Sequence, residues 1–211
     1  MKIVAFDLDG TVADTIPMCI KAFCESVSPY TDHTLTEKEV TQTFGLNEIG
    51  MVKAVVKNDW ENALCDFYEK YNALHDEVNT PFTGIYELIT WLKTHGILVA
   101  LITGKGKRSC DISLKKLKLE NIFYEVLYGS EKKRNKAENI NSLIKKYSIP
   151  KSGFYYVGDT KQDVMVCKEV EVTCLSAAWQ DASYGDILER ENKGLVFCSV
   201  NELREYLSAF V

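Results

Sequence analysis

The sequence predicts an α/β fold, a doubly wound parallel sheet whose first strand is followed by an all-helical insert. Three observations predict it. Short apolar runs end abruptly in Asp, Thr-Gly or Gly, as buried parallel strands do. From residue 84 onward these runs alternate with amphipathic helical patterns, the rhythm of a parallel sheet. Between the first run and residue 84 lie about seventy residues with helical patterns and no convincing strand.

The first run is Ile3-Val4-Ala5-Phe6, ending in Asp7. Helical patterns then cover 13–27, 36–43, 46–57 and 59–77. The last places Trp60, Leu64, Phe67, Tyr71 and Leu74 on one stripe, which reads as packing within a small bundle. Asn79 to Gly84 is a turn-rich return. The helix over 84–95 gathers Ile85, Leu88, Ile89 and Leu92, and the run 97–102 ends in Thr103-Gly104. A helix over 107–117 and a strand over 124–128 follow, then a helix over 137–147 and the run 154–157, closed by Gly158-Asp159. Runs at 172–175 and 195–197 complete the sheet.

Composition narrows the function. Lys+Arg is 25 against 30 Asp+Glu, a net charge of −5, which argues against a general nucleic-acid binder. The hydrophobic fraction of 46% and charged fraction of 26% are those of a globular chain. No run of about 18 apolar residues occurs, so neither a transmembrane helix nor a membrane partner is expected. The short N-terminal run meets acid at once and does not read as a signal peptide. The 7 Cys are scattered without a Cys-x-x-Cys spacing, so reduced thiols packed as small apolar groups, and a cytoplasmic location, are expected. His33, His75 and His95 are far apart, and each is expected at the surface or its boundary. Residues 15–80 carry five basic and eleven acidic residues, whereas basic clusters follow strand ends at Lys105, Lys107 and Arg108 and at Lys132, Lys133, Arg134 and Lys136. Cations on strand-end loops are placed to attract an anion.

Ligands in open α/β sheets bind outside the carboxyl ends of the strands. There this chain delivers Asp7 and Asp9, then Thr103 and Gly104, then Lys136 at the start of a helix, then Asp159 with Asp163 four residues on. Converging carboxylates repel, and a hard divalent cation such as Mg²⁺, bound by carboxylate oxygens, water and phosphate, relieves this. Asp7 can then serve as a nucleophile toward phosphorus. Asp9 can exchange protons with leaving group and water. Thr103 and the backbone at Gly104 can hold phosphoryl oxygens, and Lys136 can neutralise charge on Asp7 and the transferred group. An EF-hand is excluded because its alternating ligands are absent, and Gly104-Lys105-Gly106-Lys107-Arg108 is not a phosphate-binding P-loop. Taken singly, each acid could be a helix cap or turn residue, Asp163 and Asp14 above all.

These residues resemble the haloacid dehalogenase superfamily, in the branch with a helical cap after the first strand. The resemblance rests on Phe6-Asp7-Leu8-Asp9-Gly10-Thr11, Leu101-Ile102-Thr103-Gly104, Lys136-Ala137-Glu138, and Val157-Gly158-Asp159 with Asp163, in that order. It implies a Rossmann-like core over 1–14 and 81–211 with a cap over 15–80. It also implies Mg²⁺ held by Asp7, the Asp9 backbone carbonyl and Asp159, with Asp163 acting through water or supporting Lys136. An Asp at position 9 implies phosphate-ester chemistry through an aspartyl-phosphate on Asp7, most like that of phosphoglycolate phosphatases. Many relatives have Lys-Pro where this chain has Lys136-Ala137, so Lys133 and Arg134 stay open as the motif cation. Thr103-Gly104-Lys105 departs from the Asn often found after the Thr; Gly104 would allow close backbone approach, and Lys105 would add a cationic contact. The loop 43–47, with Gly45, resembles the family's substrate-specificity loop, and Lys53 is a candidate contact to a substrate carboxylate. The expected partner is a small phosphorylated metabolite, with the chain monomeric or homodimeric. A β-phosphoglucomutase-like phosphotransferase and a non-enzymatic regulatory protein are the alternatives.

Overall fold

The computed structural model describes residues 1–180 and 182–209. Its sheet has the order β3-β2-β1-β4-β5-β6, and every pairing is parallel. The strands are β1 Ile3–Phe6, β2 Leu98–Ile102, β3 Glu125–Leu127, β4 Phe154–Gly158, β5 Thr173–Ala177 and β6 Val196–Phe197. β1 lies between β2 and β4, with Ile3 in register with both Leu98 and Phe154. The chain builds outward from β1 to β2 and β3, then crosses back to β4. The topological switch therefore falls between the carboxyl ends of β1 and β4.

Both faces of the sheet are buried, which explains why the strands read as continuous apolar runs. Val4, Phe6, Val99, Leu101 and Val157 face one core with Leu88, Leu114 and Leu203. Ile3, Ala5, Ile102 and Tyr156 face the other with Ile140, Val164 and Leu188. The first core is covered by α5 (Ile85–Thr94), α6 (Lys107–Lys116) and α10 (Val200–Ser208); the second by α7 (Lys136–Tyr147), α8 (Lys161–Val170) and α9 (Ala182–Glu191).

Between β1 and α5 come four α-helices: α1 Ile16–Val27, α2 Glu37–Gln42, α3 Glu48–Val55 and α4 Trp60–Leu74. They share a cluster of their own, in which Phe23 of α1 meets Phe67 of α4 edge-on at 5.7 Å. Thr36 and Glu39 form a capping box on α2, and Asn47 accepts the Gly50 N–H at 3.1 Å to start α3. Entry and exit of the insert are tied together, since the Phe82 N–H donates to the Val12 carbonyl at 2.9 Å.

Four expectations are corrected. The first insert helix begins at Ile16 rather than residue 13, because residues 8–13 close a tight turn through Val12 N–H to Leu8 and Gly10 N–H to Ala13. The third strand keeps only Glu125–Leu127, at a half-buried sheet edge. His75 is fully buried, although His33 and His95 are exposed. All seven cysteines are free, but Cys65 and Cys198 are exposed rather than packed. Among the described residues, no helix is long and apolar enough to cross a membrane.

Candidate active site

Asp7 is the first residue beyond β1, and its own N–H still pairs with the Val157 carbonyl of β4 at 2.8 Å. This bond holds it at the switch point. Its Oδ1 accepts the Leu8 N–H at 2.8 Å, and its Oδ2 lies 2.5 Å from Lys136 Nζ. Lys136 opens α7, and the same ammonium reaches Asp163 Oδ1 at 2.6 Å. Asp163 in turn completes a capping box on α8: its Oδ2 accepts the Thr160 N–H and hydroxyl, while Thr160 Oγ1 accepts the Asp163 N–H. The cap and the support for Lys136 are thus functions of one buried side chain. Asp159 follows β4 and accepts the Thr11 hydroxyl at 3.0 Å.

Asp7, Asp159 and Asp163 each offer one oxygen, and these oxygens lie within 4.8 Å of one another. Burial pushes the Asp7 carboxyl up to about 6, against the pull of Lys136. Burial, then Asp163 and Asp7, holds Asp159 well above the usual carboxylate range. Burial also works against charge on Lys136, but Asp163 and Asp7 outweigh it and keep the ammonium protonated. Among the described residues, Lys136 pairs with Asp7 and Asp163 while Asp159 joins the same cluster bonded to the Thr11 hydroxyl, so three carboxylates stand beside one ammonium and the set is short of positive charge. Hard oxygen donors short of positive charge are what a small divalent cation fits, so these residues could hold a metal ion.

Gly10 adopts φ +74°, and a Cβ there would overlap the Asp159 carboxylate. Only glycine gives this turn its left-handed conformation and its clearance together. Asp9 points elsewhere. Its Oδ1 accepts the Thr15 hydroxyl and lies 3.3 Å from Lys105 Nζ. Thr103 is buried at the end of β2, where its Oγ1 accepts the Lys105 N–H at 3.1 Å. A Cβ on Gly104 would meet nothing within 4 Å, whereas one on Gly129 would overlap the Gly104 carbonyl.

The insert closes the site. A cavity of about 550 Å³ is lined by Asp7, Asp9 and Lys136 from the sheet side and by Phe44, Leu46 and Met51 from the insert. That volume is in the range of small-molecule sites. Lys136, not its neighbours, reaches Asp7. Lys133 pairs with Glu138 at the surface, and Arg134 crosses to the insert, donating to the Phe44 carbonyl at 3.1 Å and to Gln162 at 3.0 Å. Gly45 lines the cavity and lies directly under Arg134. Lys53 is not brought to the cavity. Its ammonium pairs with Glu131 at 2.8 Å and sits 4.2 Å from the Trp60 ring, so the expected contact to a substrate carboxylate is not supported.

Sequence reasoning missed Glu48. Its buried carboxylate leaves α3, accepts the Gly106 N–H at 2.7 Å and takes the Ser109 hydroxyl. It also missed the chain Tyr71–Ser113–His75–Val78 between α4 and α6. Burial lowers the His75 pKa, and the neutral ring donates from Nδ1 to the Val78 carbonyl. Nε2 then accepts the Ser113 hydroxyl, which itself accepts from Tyr71. No local pattern signals either feature.

With this arrangement established, comparison with known proteins is decisive at the family level: residues 4–177 match the description haloacid dehalogenase-like hydrolase. The chain belongs to this family. Among curated proteins, this haloacid dehalogenase-like hydrolase is 28% identical over 199 residues to the protein named "Putative pyrophosphatase PpaX" of Caldanaerobacter subterraneus subsp. tengcongensis, covering 90% of this chain and 88% of that one. It is 25% identical over 214 residues to a phosphoglycolate phosphatase of Pseudomonas syringae pv. tomato, covering 96% and 78%. A solved hydrolase from Pseudomonas syringae superposes with a TM-score of 0.77 at 19% identity over 100% of both chains, which shows the shared fold.

Proposed function

We propose that this hydrolase is a Mg²⁺-dependent phosphatase of small phosphorylated metabolites, phosphoglycolate-like esters first among them, acting through a phosphoryl group carried on Asp7. The observation that carries this reading is the single ammonium of Lys136 held 2.5 Å from Asp7 and 2.6 Å from Asp163, with Asp159 in the same cluster and Asp9 turned away from it. The relatives named above support phosphate chemistry.

Asp7, the Asp9 backbone carbonyl and Asp159 would hold Mg²⁺, with Asp163 behind them through water or through Lys136. When bound, the ion supplies the positive charge that lets carboxylates and phosphoryl oxygens share one site. An Asp7 carboxylate oxygen attacks phosphorus while the bond from phosphorus to the ester oxygen breaks. Asp9 donates its proton to that departing oxygen. Asp9, now a carboxylate, takes a proton from water as the water oxygen attacks phosphorus and the bond to Asp7 breaks, releasing phosphate. Thr103, the Gly104 backbone and Lys136 orient the phosphoryl oxygens. Residues 15–80 act as a cap over a core of 1–14 and 81–211, excluding water during the first step. Gly45 shapes the leaving-group side of the cavity. The seven free thiols support a reducing compartment, the cytoplasm.

The test is phosphate release from a panel of phosphomonoesters and pyrophosphate, with Mg²⁺ and with EDTA. Mg²⁺-dependent release, strongest on one small ester, is the expected outcome. Release that needs no divalent ion overturns the metal assignment. Transfer to a sugar phosphate in the presence of a sugar bisphosphate, without net phosphate release, favours a β-phosphoglucomutase-like reaction instead.

A further inference from the structure

Lys105 is 4% exposed, and nothing in the reaction outlined above uses it. A lysine ammonium carries three donors. Three acceptors surround this one: Asp9 Oδ1 at 3.3 Å, Cys19 Sγ at 3.8 Å, and the face of Tyr71 with its ring centroid at 4.5 Å. The first belongs to the sheet side. The other two belong to α1 and α4 of the insert. Tyr71 is itself fixed, because its hydroxyl is bonded to Ser113 and through it to His75. The backbone of Lys105 is equally constrained, with its N–H on Thr103 and its carbonyl accepting the Gly129 N–H at 2.7 Å.

We propose that Lys105 is a positioning residue that holds the Asp9 carboxyl in its working orientation only while α1 and α4 are seated over the end of β2. The proposal rests on the phosphatase reading of the site. Lys105 and Thr15 both engage Oδ1 of Asp9, which assigns Oδ2 to the proton exchanged with leaving group and water. Lys105 lines the cavity beside Asp9, and there its three donors are directed to three protein acceptors. Displacing the insert removes two of the three partners. Seating of the insert and alignment of the proton-transferring side chain are thereby one event.

The diagnostic is leaving-group dependence. p-Nitrophenolate departs without a proton, whereas an alkoxide needs one. Wild type, Lys105→Met and Tyr71→Leu are compared by kcat/KM on p-nitrophenyl phosphate, ethyl phosphate and phosphoglycolate, each with a thermal melt. Lys105→Met is expected to lose at least about tenfold more on both alkyl esters than on the aryl ester, as loss of aligned general acid catalysis does. Tyr71→Leu is expected to show the same asymmetry, smaller, and it decides the matter if Lys105→Met does not fold. Equal losses on all three esters overturn the proposal. A loss confined to phosphoglycolate also overturns it, in favour of a contact to the substrate carboxylate. Wild-type protein inert toward all three esters overturns the phosphatase reading itself, and this proposal with it.

Discussion

Glu48 Oε2 accepts the backbone N–H of Gly106 at 2.7 Å, so a carboxylate of the insert caps a helix of the core. Gly106 is the N-cap residue of α6 and has no side chain of its own to do this. The carboxylate meets both an orphan donor and the positive end of the helix dipole. Glu48→Ala leaves that buried N–H without a partner and is expected to cost about 1–3 kcal/mol. Glu48→Gln keeps an acceptor and is expected to cost about 1 kcal/mol or less. Urea midpoints give the ranking, and amide exchange at Gly106 and Ser109 should speed up more in the Ala variant.

Arg134 constrains Gly45. A Cβ on Gly45 would lie 2.5 Å from Arg134 Nε, and its φ of +105° is one that L side chains rarely adopt. Gly45→Ala is expected to cost about 1–3 kcal/mol from backbone strain alone, with the clash added. Arg134→Ala in the same chain should recover the clash and not the strain. A double-mutant cycle on melting midpoints separates the two. Full recovery would show that the strain is absent.

Lys136 places its ammonium between Asp7 and Asp163. Lys136→Met strands two buried carboxylates and is expected to lose about 3–5 kcal/mol of stability in EDTA. Phosphatase activity should fall with it. Part of the stability loss should return with Mg²⁺, measured as the shift in urea midpoint, because the cation supplies the missing charge.

Asp7→Asn keeps the shape of the site and removes the nucleophile. Turnover should drop by at least about three orders of magnitude, with a melting midpoint close to wild type. Retention of a substantial fraction of activity rules out phosphoryl transfer through Asp7.

His75 makes stability pH-dependent. Burial holds its folded pKa below the usual 6.5, so the unfolded chain binds the proton more readily. Stability from the neutral ring is full above about pH 6.5 and declines as the pH falls below it. The stability gap between wild type and His75→Gln should therefore shrink between pH 8 and pH 5. A gap that widens toward acid would mean that the folded protein keeps His75 charged.

The sheet and the acidic end of the site were legible in the sequence. Asp7, Thr103 and Asp159 each follow an apolar run, and parallel strands bring their carboxyl ends to one edge whatever covers them. Lys136 could be placed at the same edge, but only the fold chose it over Lys133 and Arg134, because the start of α7 aims one of the three at Asp7. The docking of the insert belongs to tertiary structure alone. Glu48 and Gly106 are 58 residues apart, and Lys105 and Cys19 are 86 apart. Hydrophobic periodicity states which face of a helix is buried and not which polar group it meets there. For the same reason His75 read as a boundary residue, although its burial depends on a hydroxyl 38 positions away on another helix. Local sequence determined which chemistry-bearing residues stand at the strand ends. Packing of the insert on α6 decided which of them are free to meet a substrate and which are already spoken for.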